Sequence, residues 1–224
     1  MDRGLNELLK WSIENTNTTG NHEESSTPPS GAAPAPASRS NLSPEVLASL
    51  FGGPSDADLM RAAMDVVTSR DDPDVSLEDK LTAFDNFEQL IESLDNANNL
   101  GALSLWTPLL SMLEHEEAEL RRMAAWCVGT AVQNNEPSQE RLLALGGVPR
   151  LVALATDSEE KAHVRKKAVY ALSSACRNYQ PAMDVCHEEL GKVGKTFDKV
   201  DAMNMDAVDV VMNALKEEAS KETA

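Results

Sequence analysis

Aromatic side chains make up only 4% of the chain, and runs of β-branched residues are scarce. A sheet would have little to pack with, whereas the plentiful Ala, Leu, Glu, Met and Asp favour helix. Cysteine is rare and odd in number: Cys127, Cys176 and Cys186. Two of the three fall inside helical patterns, which predicts reduced thiols of the cytoplasm rather than a disulfide framework. No apolar run approaches the roughly 20 residues that span a bilayer. The first residues, MDRGLNELLKWSIENT, carry charges throughout and lack the apolar stretch of a secretion signal. Basic residues are few, 20 against 37 acidic, for a formal net charge of −17. Such a surface repels phosphate backbones and anionic lipid, so neither nucleic acid nor membrane is an expected partner.

Sites for chemistry are missing as well. His22 and His115 lie in polar stretches, and Cys186-His187 are adjacent rather than spaced along one helix face. No CxxC, HExxH, Gly-x-Ser-x-Gly or kinase signature occurs. GKVGKT ends like a phosphate loop at Gly194-Lys195-Thr196, but the first glycine of that motif would fall at Glu189. No catalytic residue, metal or cofactor is therefore expected.

What is present divides the chain into four. Within residues 1–15, Leu5, Leu8, Leu9 and Ile13 share one helical face, with Trp11 at its edge. Residues 16–41 contain no aromatic residue, Leu, Ile, Val or Met, and four prolines. That composition cannot bury apolar surface, so a disordered linker is expected there. Residues 42–197 read as helices with short breaks, and residues 198–224 as a capping helix and tail. In the third region Ser43-Pro44 opens a helix and Gly52-Gly53 stops it. A second helix covers 56–69. A third is expected from a capping box at Ser76–Asp79 to about Leu94, with Leu77, Leu81, Phe84, Phe87, Leu90, Ile91 and Leu94 as its apolar stripe.

An internal repeat is the most informative signal. RRMAAWCVGTAVQNNEP (121–137) aligns with RKKAVYALSSACRNYQP (165–181) at an offset of 44, with five identities in 17 positions: Arg121/Arg165, Ala124/Ala168, Ala131/Ala175, Asn134/Asn178 and Pro137/Pro181. Chance would give about one. The pairs Trp126/Tyr170, Glu116/Glu160 and Leu110/Leu154 agree too. Around this stretch SQERLLALGG and VPRLVALATD read as two short helices ahead of a longer Ala-rich third. Three helices at this period predict an all-α, armadillo-like solenoid in which the third helices line a shared concave groove. LDNANN (94–99), VQNN (132–135) and Asn178 place amides at the ends of those third helices. An amide there can adopt the left-handed end conformation or offer hydrogen bonds to a partner. The basic triplets at 121–123 and 165–167 either dock an acidic partner or pair with Glu116–Glu119 and Glu159–Glu160.

KLTAFDNFEQLIESLDNANNL (80–100), LWTPLL (105–110) and RRMAAWCVGTAVQNN resemble the armadillo-type nucleotide exchange factors of the seventy-kilodalton heat-shock chaperones, in their fungal cytosolic branch. LLKWSIENT and LSPEVLASLFGG are similar to that branch too. The resemblance covers residues 1–181. It implies a non-enzymatic co-chaperone of the cytoplasm, acting as a monomer, whose repeats clasp one lobe of the chaperone's nucleotide-binding domain so that ADP leaves and client release follows. It also implies that Leu8, Leu9, Trp11 and Ile13 mimic a substrate in the chaperone's peptide groove, and that Asp95, Asn96, Ala97, Asn98 and Asn99 form the contact surface. Asn134, Asn135, Arg122 and Lys166 join them on groove-lining grounds. Full-length repeats of the family continue beyond NYQP, whereas here only one further amphipathic helix is legible, with Val208, Val211, Met212 and Leu215 on its face. The rival reading is an armadillo adaptor for extended peptides. It calls for a regular Trp/Asn ladder, and Trp126 has only Tyr170 and Phe84 as counterparts.

Overall fold

The computed structural model describes residues 54–69 and 73–221. The amphipathic motif at 1–15, the linker at 16–41 and the helix expected at 43–51 lie outside them. Met1–Ser55 is a unit of its own, and Asp56–Ala224 is a second. All regular structure among the described residues is helical.

Among the described residues ten α-helices follow one another: α1 (Asp56–Thr68), α2 (Leu77–Ile91), α3 (Leu94–Asn99), α4 (Trp106–Ser111), α5 (Ala118–Val132), α6 (Glu136–Ala144), α7 (Gly147–Thr156), α8 (Ala162–Cys176), α9 (Gln180–Lys192) and α10 (Met205–Ala219), with a 3-10 turn at Met112–Glu114 after α4. The capping box is present: Ser76 Oγ accepts from the Asp79 amide at 3.1 Å, and Asp79 accepts from the Ser76 amide at 2.9 Å.

Packing reveals the repeat. α2, α5, α8 and α10 lie side by side, each against the next. Two complete three-helix units stand in the middle, α3–α4–α5 and α6–α7–α8. α1 and α2 supply the second and third positions of a leading unit. α9 and α10 supply the first and third positions of a trailing one, whose second position is taken by the helix-free stretch 193–204. The sequence pattern missed α9, although Pro181 at its first turn matches Pro137 of α6, and Ala182, Met183, Cys186 and Leu190 form its buried face. α10 buries Val208, Val211, Met212 and Leu215 as expected.

One boundary differs. α2 ends at Ile91, and the chain restarts at Ser93, whose extended backbone opens α3 as a separate helix. Leu94 therefore leaves the apolar stripe and is 57% exposed, and Leu77 at the other end is 40% exposed. Phe84, Phe87 and Ile91 hold the core between them.

Small side chains allow α5 and α8 to approach closely, with Ala124, Ala131, Ala168, Ala171 and Ala175 all fully buried. Gly129 sets the closest point: a Cβ there would lie 2.5 Å from Tyr170 Cε1 and 3.1 Å from Ala171 Cα. Alanine at 129 would return about 1 kcal/mol of helix propensity, against overpacking of about 1–3 kcal/mol. Gly129→Ala is expected to lower Tm by about 2–4 °C, for a net loss near 1 kcal/mol, and to displace the Tyr170 ring. A rise in Tm on thermal unfolding would show that the ring yields freely.

The repeated arginine is a structural lock. Arg121 Nη1 donates to the carbonyls of His115 at 2.5 Å and Glu116 at 2.7 Å, in the turn before its own helix. Its Nε donates to Glu160 Oε2 at 2.5 Å, in the next unit. Arg165, one repeat later, reaches the carbonyl of Asp157 at 3.3 Å and that of Lys221.

Candidate functional site

The row of third helices presents a continuous polar and aromatic wall. From α2, the Glu88 carboxylate accepts a 2.6 Å hydrogen bond from Thr130 of α5. From α8, the Lys167 ammonium sits 3.7 Å from the Trp126 ring centroid and 5.3 Å from that of Tyr170. The Tyr170 hydroxyl lies 3.3 Å from Gln133 Oε1, just past the end of α5. Burial, with help from neighbouring Arg122, pulls the Lys167 pKa below the ordinary lysine value; Glu88 opposes this. At the N-terminal end of the wall, Glu119 accepts from Arg122 Nε at 2.8 Å and meets His163 Nε2 at 2.8 Å. The Arg122 hydrogen bond leads in holding the Glu119 carboxyl below its usual range, against partial burial. Glu119, Arg122, His163, Lys166, Lys167 and Tyr170 line an open cleft of about 560 Å³ here.

The residues singled out in the sequence fall at two ends of this wall. Arg122 and Lys166 come together at its N-terminal end. Asn134 lies just past the C-terminal end of α5, the helix that carries Arg122 near its start. It is exposed, with φ +51°, and Asn178 occupies the matching place with φ +60°. Both follow the last helical turn in the left-handed conformation that Asn tolerates, so the end-conformation account of these amides holds.

Three expected surface residues are not on the surface. Asn96 is buried and donates to Asp56 Oδ2 at 2.8 Å and the Leu90 carbonyl at 2.9 Å, tying α3 to α1 and to the end of α2. Ala97 is 2% exposed. Asn135 is buried and donates to the Ala131 carbonyl at 3.1 Å and Ser138 Oγ at 2.8 Å. Nor does LDNANN close a third helix: it is the whole of α3, the first helix of the next unit. Asp95, Asn98 and Asn99 are exposed on that helix, and Asn98 borders a cleft of about 400 Å³ with Trp106, Pro137 and Arg141. Leu8, Leu9, Trp11 and Ile13 lie outside the described residues.

Sequence reasoning passed over Glu88 and Thr130, and met Lys167 only as the last residue of a basic triplet. The available signal was positional, since Lys167 lies three residues before Tyr170, one turn away on the face that Trp126 also occupies. Gln139 was missed as well; its side chain donates to the carbonyls of Ser174 at 2.9 Å and Arg177 at 3.0 Å, satisfying the end of α8.

Among the described residues no group of three or more His, Cys, Asp or Glu is placed to hold a metal, and no helix is long and apolar enough to cross a membrane. Cys127, Cys176 and Cys186 are buried free thiols. Burial pushes the Cys127 thiol well up from its ordinary value. The wall offers hydrogen-bonding, stacking and charge, the means of gripping a macromolecule.

Comparison with known proteins agrees. Residues 5–100 match the family described as nucleotide exchange factor Fes1, and residues 96–215 match the SIL1/FES1/HPBP1 C-terminal domain. The chain is 62% identical over 220 residues to a Gibberella zeae protein named Hsp70 nucleotide exchange factor FES1, covering 98% of this chain and 99% of that one. It is 53% identical over 244 residues to Hsp70 nucleotide exchange factor fes-1 of Neurospora crassa, again covering 98% and 99%. An Eremothecium gossypii protein named Hsp70 nucleotide exchange factor FES1 is 43% identical over 180 residues, which cover 80% of this chain but 57% of that longer one.

Proposed function

The chain belongs to the Fes1 family of nucleotide exchange factors, and from that premise we propose that it binds the nucleotide-binding domain of an Hsp70 chaperone in the cytoplasm and accelerates the release of ADP. It does so as a monomer and without chemistry of its own. The observation that carries this reading is the 62% identity, across 98% of the chain, to a protein of that name.

The mechanism is differential affinity. A wall that fits the nucleotide-open form of the chaperone better than the closed form shifts the population toward open. By linkage, ADP must weaken the protein's own binding by the same factor. In this reading the exposed Asp95, Asn98, Asn99 and Asn134 meet the chaperone along one edge of the repeats, and Arg122 and Lys166 meet it at the other end of the wall. Asn96, Ala97 and Asn135 support that edge from inside. Leu8, Leu9, Trp11 and Ile13 act separately, occupying the chaperone's peptide groove so that a released client does not rebind.

Stopped-flow release of a fluorescent ADP analogue from a purified Hsp70 is the test. The expected result is a release rate that rises with added protein at micromolar concentration. Deleting residues 1–41 is expected to leave that rate unchanged while weakening client release. No acceleration by the full chain would overturn the reading, and loss of exchange in the deletion would overturn the division of labour.

A further inference from the structure

The net charge is −17, yet α5 and α8 gather Arg122, His163, Lys166 and Lys167 around one cleft of the wall. Like charges so close repel, and Arg122 and Lys167 feel each other directly. The carboxylates facing this cluster are already engaged. Glu119 is shared between Arg122 and His163, at 2.8 Å each. Glu88, on the α2 side, takes the Thr130 hydroxyl and attracts Lys167 without forming an ion pair with it. Glu160 in the turn before α8 is taken by Arg121. Among the described residues neither Lys166 nor Lys167 forms an ion pair.

Lys167 is nonetheless held in place. Stacking over Trp126 at 3.7 Å fixes its four-carbon stem and removes part of the entropy that a free lysine loses on binding. The ring faces donate no oxygen, so the three N–H groups of the ammonium keep their hydrogen-bonding capacity for an acceptor arriving from outside. A preset, partly desolvated cation flanked by Trp, Tyr and Arg has the composition of an interface hot spot.

We infer that this patch docks onto a cluster of surface carboxylates on the chaperone's nucleotide-binding domain, with Lys167 as the central contact and Lys166 and Arg122 beside it. The assignment rests on the exchange-factor reading. A phosphate polymer is the poorer fit, because the rest of this strongly acidic chain repels an extended anion, whereas a compact carboxylate cluster touches only the basic patch.

The full chain carrying Lys167→Glu, Lys166→Glu or Lys167→Arg is titrated against ADP-loaded Hsp70, after circular dichroism and thermal unfolding have checked each fold. The concentration for half-maximal ADP release is expected to rise about tenfold for Lys167→Glu and about threefold for Lys166→Glu. It should rise less for Lys167→Arg than for Lys167→Glu, because arginine keeps the positive charge and can lie over the Trp126 ring. Raising salt should weaken the wild type more than Lys167→Glu. Lys166 is exposed, so its variant decides the matter even if Lys167→Glu unfolds. Folded variants that match the wild type in concentration and salt dependence would overturn the docking and leave exchange standing. A wild type without exchange would sink both. Binding of a single-stranded polynucleotide that Lys166→Glu abolishes would hand the patch to phosphate and overturn the assignment.

Discussion

Arg121→Met should destabilise the protein by about 3 kcal/mol, which at this size lowers Tm by about 6–12 °C. Methionine keeps most of the apolar stem of arginine, so packing between α5 and α7–α8 changes little. What disappears is the set of donors. The carbonyls of His115 and Glu116 lose the guanidinium, and Glu160, with its side chain only 4% exposed, loses its ion-pair partner and keeps only the Lys161 amide. The second loss dominates, because an unpaired buried carboxylate costs more than an unpaired carbonyl. Removing the charge as well isolates that cost: Arg121→Met combined with Glu160→Leu should regain most of the lost stability. pH provides an independent check. Burial pushes the Glu160 carboxyl up, but hydrogen bonds from Arg121 and the Lys161 amide outweigh it, and its pKa lies below the ordinary value. A depressed carboxyl contributes stability that is complete above the unfolded pKa and is lost as pH falls through the folded one. The gap between wild type and Arg121→Met should therefore close as the pH drops below the ordinary carboxylate range. Equal Tm values at neutral pH, measured by calorimetry, would show that the bridge does not join the two units.

This bridge also shows what the sequence could reveal and what it could not. Identity at 121 and 165 was visible as a repeat signal, and the repeat led to the three-helix unit. The pattern left two uses open for those basic triplets, and the structure divides them: the first arginine of each turns inward to hold its unit, while Arg122, Lys166 and Lys167 face outward. A periodicity of 3.6 places a residue on a face but cannot say which neighbouring unit that face will meet. The break between α2 and α3 was illegible for a similar reason. Glu92-Ser93 contains neither Gly nor Pro, and local composition cannot distinguish the end of a long helix from a six-residue helix of its own. Amides at 134 and 178 were legible as helix ends because their left-handed backbone is a local property. The burial of Asn96 was not, since its partner Asp56 lies forty residues earlier. Lys167 acquires its character only when α8 is laid against Trp126.

Phe84→Ala should have the other large effect, about 3–5 kcal/mol, and it should be felt unevenly. Phe84 is fully buried on α2, which packs against α1 on one side and α5 on the other. In an array of stacked repeats each unit is stabilised by its neighbours, and a terminal unit has fewer of them. A cavity there is expected to let α1 and α2 open locally while α5, α8 and α10 remain folded. Hydrogen exchange should show the amides of Phe84–Ile91 losing protection by two orders of magnitude or more, since each 1.4 kcal/mol is about a factor of ten. Those of Leu172–Cys176 should change far less. Leu172→Ala, in α8 with packed helices on both sides, should instead lower protection throughout. ADP release ought to follow the first pattern, because opening of α2 withdraws Glu88 from Thr130 and strips one face of the wall while the Lys167–Trp126 pair stays in place. Protection that falls by the same factor in α2, α5 and α8 after Phe84→Ala would mean that the described helices melt as one block, and the view of the wall as a stack of separable units would have to be given up.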